Sequence, residues 1–137
     1  MSVNPYNNNF ESGGYFYNAI RQDIAMVLGD TMSFGFQIQG LEGTDPDEVI
    51  FSVKQNIEDE EKIITETLED NIERRSYDST NDVITYILRV PPSATEHINP
   101  GRYFYDLVIR VNNDVITIMK GRLLVDYSVT TDIDPNE

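Results

Sequence analysis

The sequence predicts an all-β fold, an antiparallel sandwich of about seven to eight short strands. Apolar and polar residues alternate in repeated short segments, Gly, Asn, Asp and Pro cluster between those segments, and no long helix stands out. The 137 residues suit one domain that can bury a core without metal or disulfide support, and cysteine is absent.

The first strand is read over Ile24, Met26 and Leu28, which alternate with less apolar positions, and Gly29-Asp30 supplies the turn that follows. Met32, Phe34, Phe36 and Ile38 alternate with Ser33, Gly35 and Gln37 as a half-buried strand. The two strands pair as a hairpin or meet in an equivalent corner. Gly40 to Pro46 is a loop by composition, and Val49, Phe51 and Val53 give a third strand.

Residues 56–75 carry two patterns. Ile57, Ile64, Leu68 and Ile72 have helical spacing, whereas Ile63, Thr65 and Thr67 are β-branched. Strand-like surroundings favour a turn at Glu58 to Glu61 and a strand over Lys62 to Glu69. After a loop at residues 78–82, Val83 to Val90 is the next strand, stopped by Pro91 and Pro92, and a single helical turn over 93–96 fits there. Arg102 to Asn112 is the longest alternating run, with Tyr103, Tyr105, Leu107, Ile109 and Val111 on one side. A hairpin turn leads into Val115 to Val125, where Gly121 suggests a bulge, and an edge strand is expected to reach Thr131. The expected organisation is an arm over residues 1–19, a sandwich over 20–131 and an acidic tail over 132–137.

The arm is rich in Asn and Gly, so no regular element is expected before Ile20. It also carries Tyr6, Phe10, Tyr15, Phe16 and Tyr17, more aromatics than a freely flexible tail usually has. These five are the candidate partner-binding residues, docking on a neighbour or back on their own domain.

Twenty-four acidic against ten basic residues give a net charge of −14, which disfavours nucleic acid and anionic lipid. From Glu42 to Glu73, twelve carboxylates face only Lys54 and Lys62. That run is read as a solvated face. The opening MSVNPYNNNF does not read as a secretory signal, and no apolar run approaches the ~20 residues needed to cross a bilayer. A soluble protein is expected.

No catalytic, cofactor-binding or metal-ligating set emerges. His97, the one histidine, sits beside an Asn-Pro-Gly turn, and nothing nearby in the sequence forms a recognisable set of nucleophile, base and orienting group. Asp45, Asp47 and Glu48, or Glu58 to Glu61, have the oxygen chemistry for calcium but not its loop spacing. No glycine-rich phosphate cradle follows a strand.

Three landmarks carry a resemblance: Ile24 to Phe34 with its central Gly29-Asp30, Pro100-Gly101-Arg102-Tyr103-Phe104-Tyr105-Asp106-Leu107, and Gly121-Arg122-Leu123-Leu124-Val125. Their order and spacing resemble the immunoglobulin-like domain at the N-terminus of baseplate upper proteins in phages of Gram-positive bacteria, and related small phage structural proteins. The resemblance spans about residues 20–130. It implies an immunoglobulin-like sandwich in the virion, assembled in the host cytoplasm and bound to other virion proteins, with no catalytic residues to carry over. The expected function is therefore that of a non-enzymatic virion structural protein. A carbohydrate-binding or adhesion module, resting on exposed tyrosines, is the alternative, and an acidic hydrolase a third reading.

Overall fold

Successive side chains of a strand point to opposite faces, and that rule sorts the strands of this chain into two sheets sharing one core. The structure is a computed structural model and describes residues 20–127, together with the backbone of residues 10–11 and 14–15. Its strands are β1 (Phe10–Glu11), β2 (Gly14–Tyr15), β3 (Ile20–Arg21), β4 (Ile24–Val27), β5 (Met32–Gln39), β6 (Glu48–Lys54), β7 (Ile64–Thr67), β8 (Ile72–Asp78), β9 (Val83–Val90), β10 (Gly101–Val111) and β11 (Asp114–Asp126). A 3-10 turn over Pro92–Ala94 joins the two sheets.

One sheet runs β7-β6-β10-β11-β3, with β4 following β3 along β11, and the other runs β5-β9-β8. This is the immunoglobulin arrangement, in which strands B, E and D face strands C′, C, F and G. β3 and β4 form one path broken at Gln22-Asp23, so the two sheets hold eight strands when that path is counted once. The alternating apolar positions meet as expected: Phe36, Ile38, Val49, Phe51, Val53, Ile84, Tyr86, Leu88, Leu107 and Ile109 are almost wholly buried.

Several expectations need correction. The sandwich is not entirely antiparallel, because β3 and β4 run parallel to β11. The chain enters at the edge beside its own last strand and crosses to the other sheet at Gly29-Asp30, which makes that turn a corner rather than a hairpin. Gly29 adopts φ +89°, and the Asp30 amide donates to the Val27 carbonyl. The expected strand over 62–69 is shorter, Ile64–Thr67, and an additional strand, β8, follows it. Only Ile72 of β8 is buried, so this strand has no alternation to read. A two-residue ladder, Phe10 opposite Tyr15, lies in the segment where no regular element was expected.

The bulge of β11 is not at Gly121. It falls where Leu107 pairs with Met119 but Val108 pairs with Thr117, leaving Ile118 as the extra residue, so that Ile118 and Met119 are both buried. Gly121 answers a different need: a Cβ there would lie 2.1 Å from the Gln22 carbonyl oxygen. Only glycine lets the break between β3 and β4 pass so close. Around it, the Gln22 amide donates to the Lys120 carbonyl at 3.0 Å and the Arg122 amide to Asp23 Oδ1 at 3.0 Å. The Tyr105 hydroxyl also donates to the Gln22 carbonyl.

The Tyr103 hydroxyl donates to the Asn99 carbonyl at 2.5 Å. This is the tyrosine corner of immunoglobulin-like domains, a tyrosine near the start of strand F bonded a few residues upstream. Two residues on, at the position of the strand-F cysteine in antibody domains, stands Tyr105. Its ring packs on Phe51 at 5.7 Å between centroids, and Phe51 meets Phe34 edge-on at 6.2 Å. In a chain without Cys or Trp, these aromatic rings bridge the two sheets at the centre of the sandwich.

Candidate functional site

The outward side of the six-stranded sheet is built from the residues between the core positions. Cross-strand pairing arranges them in three rows. Lys54, Phe104 and Arg122 form one row across β6, β10 and β11. Thr65, Ser52, Asp106, Lys120 and Arg21 form the next, from β7 to β3. Thr67, Ile50, Val108 and Thr117 form the third.

These rows floor an open concavity of about 850 Å³, bordered by Ile57 and Lys62 from the segment between β6 and β7. An outward sheet face is usually polar, yet Ile50, Phe104 and Val108 give this one an apolar floor. Five of the ten basic residues of the chain line it: Arg21, Lys54, Lys62, Lys120 and Arg122. With Asp23 and Asp106 the local balance is +3, whereas the whole chain carries −14, so the remainder carries −17. The face is an electropositive patch with an apolar centre on an acidic protein.

Asp106 lies at its middle. Burial pushes its carboxyl above the ordinary range, and Lys62, Lys54 and Lys120 pull it back. The folded protein thus holds a carboxylate in a site that does not favour its charge.

The other candidates separate. Asp45 accepts from the Tyr86 hydroxyl at 2.6 Å and from Arg74 at 3.3 Å, while Asp47 and Glu48 pair with Arg110 at 3.3 and 3.0 Å. These three carboxylates fasten the loop before β6 and the start of β6 to three different strands, β8, β9 and β10, and do not converge. The buried carboxylate Glu66 accepts from Asn71 Nδ2, and burial raises its carboxyl above the usual range against that hydrogen bond. His97 is exposed, with Glu96 at 3.3 Å. No group of three or more His, Asp or Glu side chains with metal-site geometry occurs among the described residues. No helix among them is long and apolar enough to cross a membrane.

Of the partner-binding candidates, Tyr6, Phe16 and Tyr17 lie outside the described residues, and Phe10 and Tyr15 are described only as backbone partners in the short ladder. The acidic tail over 132–137 also lies outside. The basic face escaped the sequence reading because its cations come from positions 21, 54, 62, 120 and 122, with no local cluster. A signal was present in the strands themselves: Ile50, Phe104 and Val108 are apolar at positions whose alternation makes them outward-facing.

No family model and no curated protein matches the sequence. Among solved structures, a domain from "Structure-based site-directed photo-crosslinking analyses of multimeric cell-adhesive interactions of VGSC beta subunits" is similar at 12% identity over 80% of this chain and 93% of that one, with a TM-score of 0.36. The N-terminal domain of phage TP901-1 ORF48 is similar at 12% identity over 91% of this chain and 94% of that one, with a TM-score of 0.30.

Proposed function

We propose that this chain is a non-enzymatic docking domain of a phage particle, holding neighbouring virion proteins through the outward face of its six-stranded sheet. The observation that carries the docking reading is the face itself: an apolar floor of Ile50, Phe104 and Val108, ringed by five cations in a chain of net charge −14. Apolar area supplies affinity, and charge of the opposite sign to the rest of the surface supplies orientation and selectivity. The phage setting rests on the three sequence landmarks, which fall on the β4–β5 corner, on the tyrosine corner with β10, and on the end of β11. The aromatic arm is a second point of attachment in this reading.

Photo-cross-linking tests it. A photoreactive residue placed at Phe104 is expected to give one discrete adduct with another protein of the particle, while the same residue at Tyr77, exposed on β8, gives none. Equal labelling from both positions, or a monomer that binds a glycan in calorimetry and cross-links to nothing, would overturn it.

A further inference from the structure

An edge strand left bare is a template for another strand, and folded proteins blunt their edges with charge, proline, bulges or shortness. Among the described residues the two sheets end on β7, on the β3–β4 path, on β8 and on β5. β7 has four residues, Glu66 among them, and the β3–β4 path is broken at Gln22-Asp23. β8 carries Glu73, Arg74, Arg75 and Asp78, with a bulge between Arg74 and Ser76. β5 has none of these devices. Its eight residues, Met32 to Gln39, include no charge and no proline, and they pair with β9 in unbroken register. The edge is open because the chain's start goes elsewhere: in an immunoglobulin ABED sheet the first strand lies beside the second, whereas β3 and β4 pair with β11 in the other sheet.

The neighbours of β5 fix which of its backbone groups face outward. Residues of an antiparallel ladder alternate between exchanging both bonds with their partner and turning both away. The Gly40 amide donates to the Asp82 carbonyl at 3.1 Å, one step past the Gln39–Val83 pair. On the far side of β9, the Arg89 amide donates to the Asn71 carbonyl at 2.9 Å. Both bonds commit the even-numbered residues of β5 to β9, so Ser33, Gly35 and Gln37 turn their amides and carbonyls to the free side. Ser33 and Gly35 are exposed, and Met32 and Phe34 on the core side are only half-buried.

We infer that two copies of this chain join β5 to β5, antiparallel about a two-fold axis at Gly35, making one continuous sheet of the two three-stranded ones. That register pairs like with like. Gly35 faces its own copy, Ser33 faces Gln37, Phe34 faces Phe36 and Met32 faces Ile38, so self-pairing brings no like charges together. About six backbone bonds cross the seam, and the aromatic pairs fall at non-hydrogen-bonded positions, where side chains approach most closely. The assembly closes at two copies, because the joined sheet ends at both sides on the bulged, charged β8. The seam lies on the sheet opposite the docking face and does not depend on it.

Sedimentation velocity of the full-length chain from about 10 µM to 1 mM tests the pairing, since so short a seam gives a weak, reversible dimer. Each chain carries −14, so raising the salt should strengthen the dimer. Gln37→Pro removes an amide donated across the seam and no bond to β9, and Gln37→Lys places a charge on the same edge. Each should weaken the dimer at least about tenfold, and the Lys variant should keep the native urea midpoint at monomeric dilution. In hydrogen exchange, the Gly35 and Gln37 amides should slow as concentration rises, whereas the Phe36 amide, bonded to β9, is slow throughout. At high salt, Lys54→Glu with Lys120→Glu should leave the dimer in place, which separates the seam from the docking face. A monomer at every concentration and salt, a dimer untouched by both Gln37 variants, or a dimer lost with the double face variant contradicts the pairing. So does protection of the Gly35 and Gln37 amides in a monomer at every concentration, which would assign the edge to a segment of its own chain.

Discussion

The hydroxyl of Tyr105 donates to the main-chain carbonyl of Gln22, a residue 83 positions earlier, and so ties the break between β3 and β4 to the strand at the centre of the sheet. Removing that hydroxyl by Tyr105→Phe leaves the packed ring and should cost about 1 kcal/mol, the usual net worth of one such bond. The urea midpoint should fall with the slope unchanged. Burial, and Asp23 after it, push the Tyr105 hydroxyl up to about 12 from 10.0. An acid whose folded value is raised keeps its contribution below the unfolded value, and loses it as pH climbs through the folded one. Stability should therefore decline from about pH 10 to pH 12 more steeply in the native protein than in Tyr105→Phe.

Gly121→Ala should be costlier than an ordinary strand substitution. The new methyl would meet the Gln22 carbonyl, a backbone atom held by the Tyr105 hydroxyl and by the β11 pairing on either side. A loss of about 1–3 kcal/mol is expected from overpacking. Amide exchange should be fastest in β3 and β4, with β5, β9 and β8 still protected.

Tyr103→Phe removes the corner bond to Asn99 and keeps the ring. A loss of about 1 kcal/mol should appear in urea unfolding, with no change in the charged face.

Asp106→Asn should stabilise the fold at neutral pH, because the native carboxyl is held above its ordinary range mainly by burial. The unfolded carboxyl ionises first as pH rises, so the native aspartate becomes a liability through and above its folded value. The gain from asparagine should vanish below the ordinary carboxyl range, which a series of urea midpoints against pH would read. A stabilising variant that weakens partner binding would mark Asp106 as kept for recognition.

Much of this fold was legible because burial on one face writes a period of two into the sequence. β5, β6, β9 and β10 each carry an apolar residue at every second position, and β5, β9 and β10 stop directly before Gly40, Pro91 and Asn112. β8 was illegible because only Ile72 of its seven residues enters the core. The parallel seam of β3 and β4 with β11 depends on residues about a hundred positions apart and leaves no local mark. Gly121 was read as a bulge because a strand glycine signals either an irregular ladder or a close backbone neighbour, and the neighbour, Gln22, is distant in sequence. The binding face was hidden for the same reason: each strand contributes one or two of its side chains, and only the register assembles Lys54 with Arg122 and Asp106 with Lys120.

The docking face is tested most directly by reversing its charge without touching the core. In particles assembled with the double variant Lys54→Glu and Lys120→Glu, incorporation of this chain, measured by quantitative sedimentation, should fall at least about tenfold, the equivalent of 1.4 kcal/mol. Both side chains point away from the core, so the double variant should still unfold in one cooperative transition, with the urea midpoint lowered only by the loss of two cations that ease the Asp106 carboxyl. Incorporation at the native level by a normally folded double variant would contradict the account.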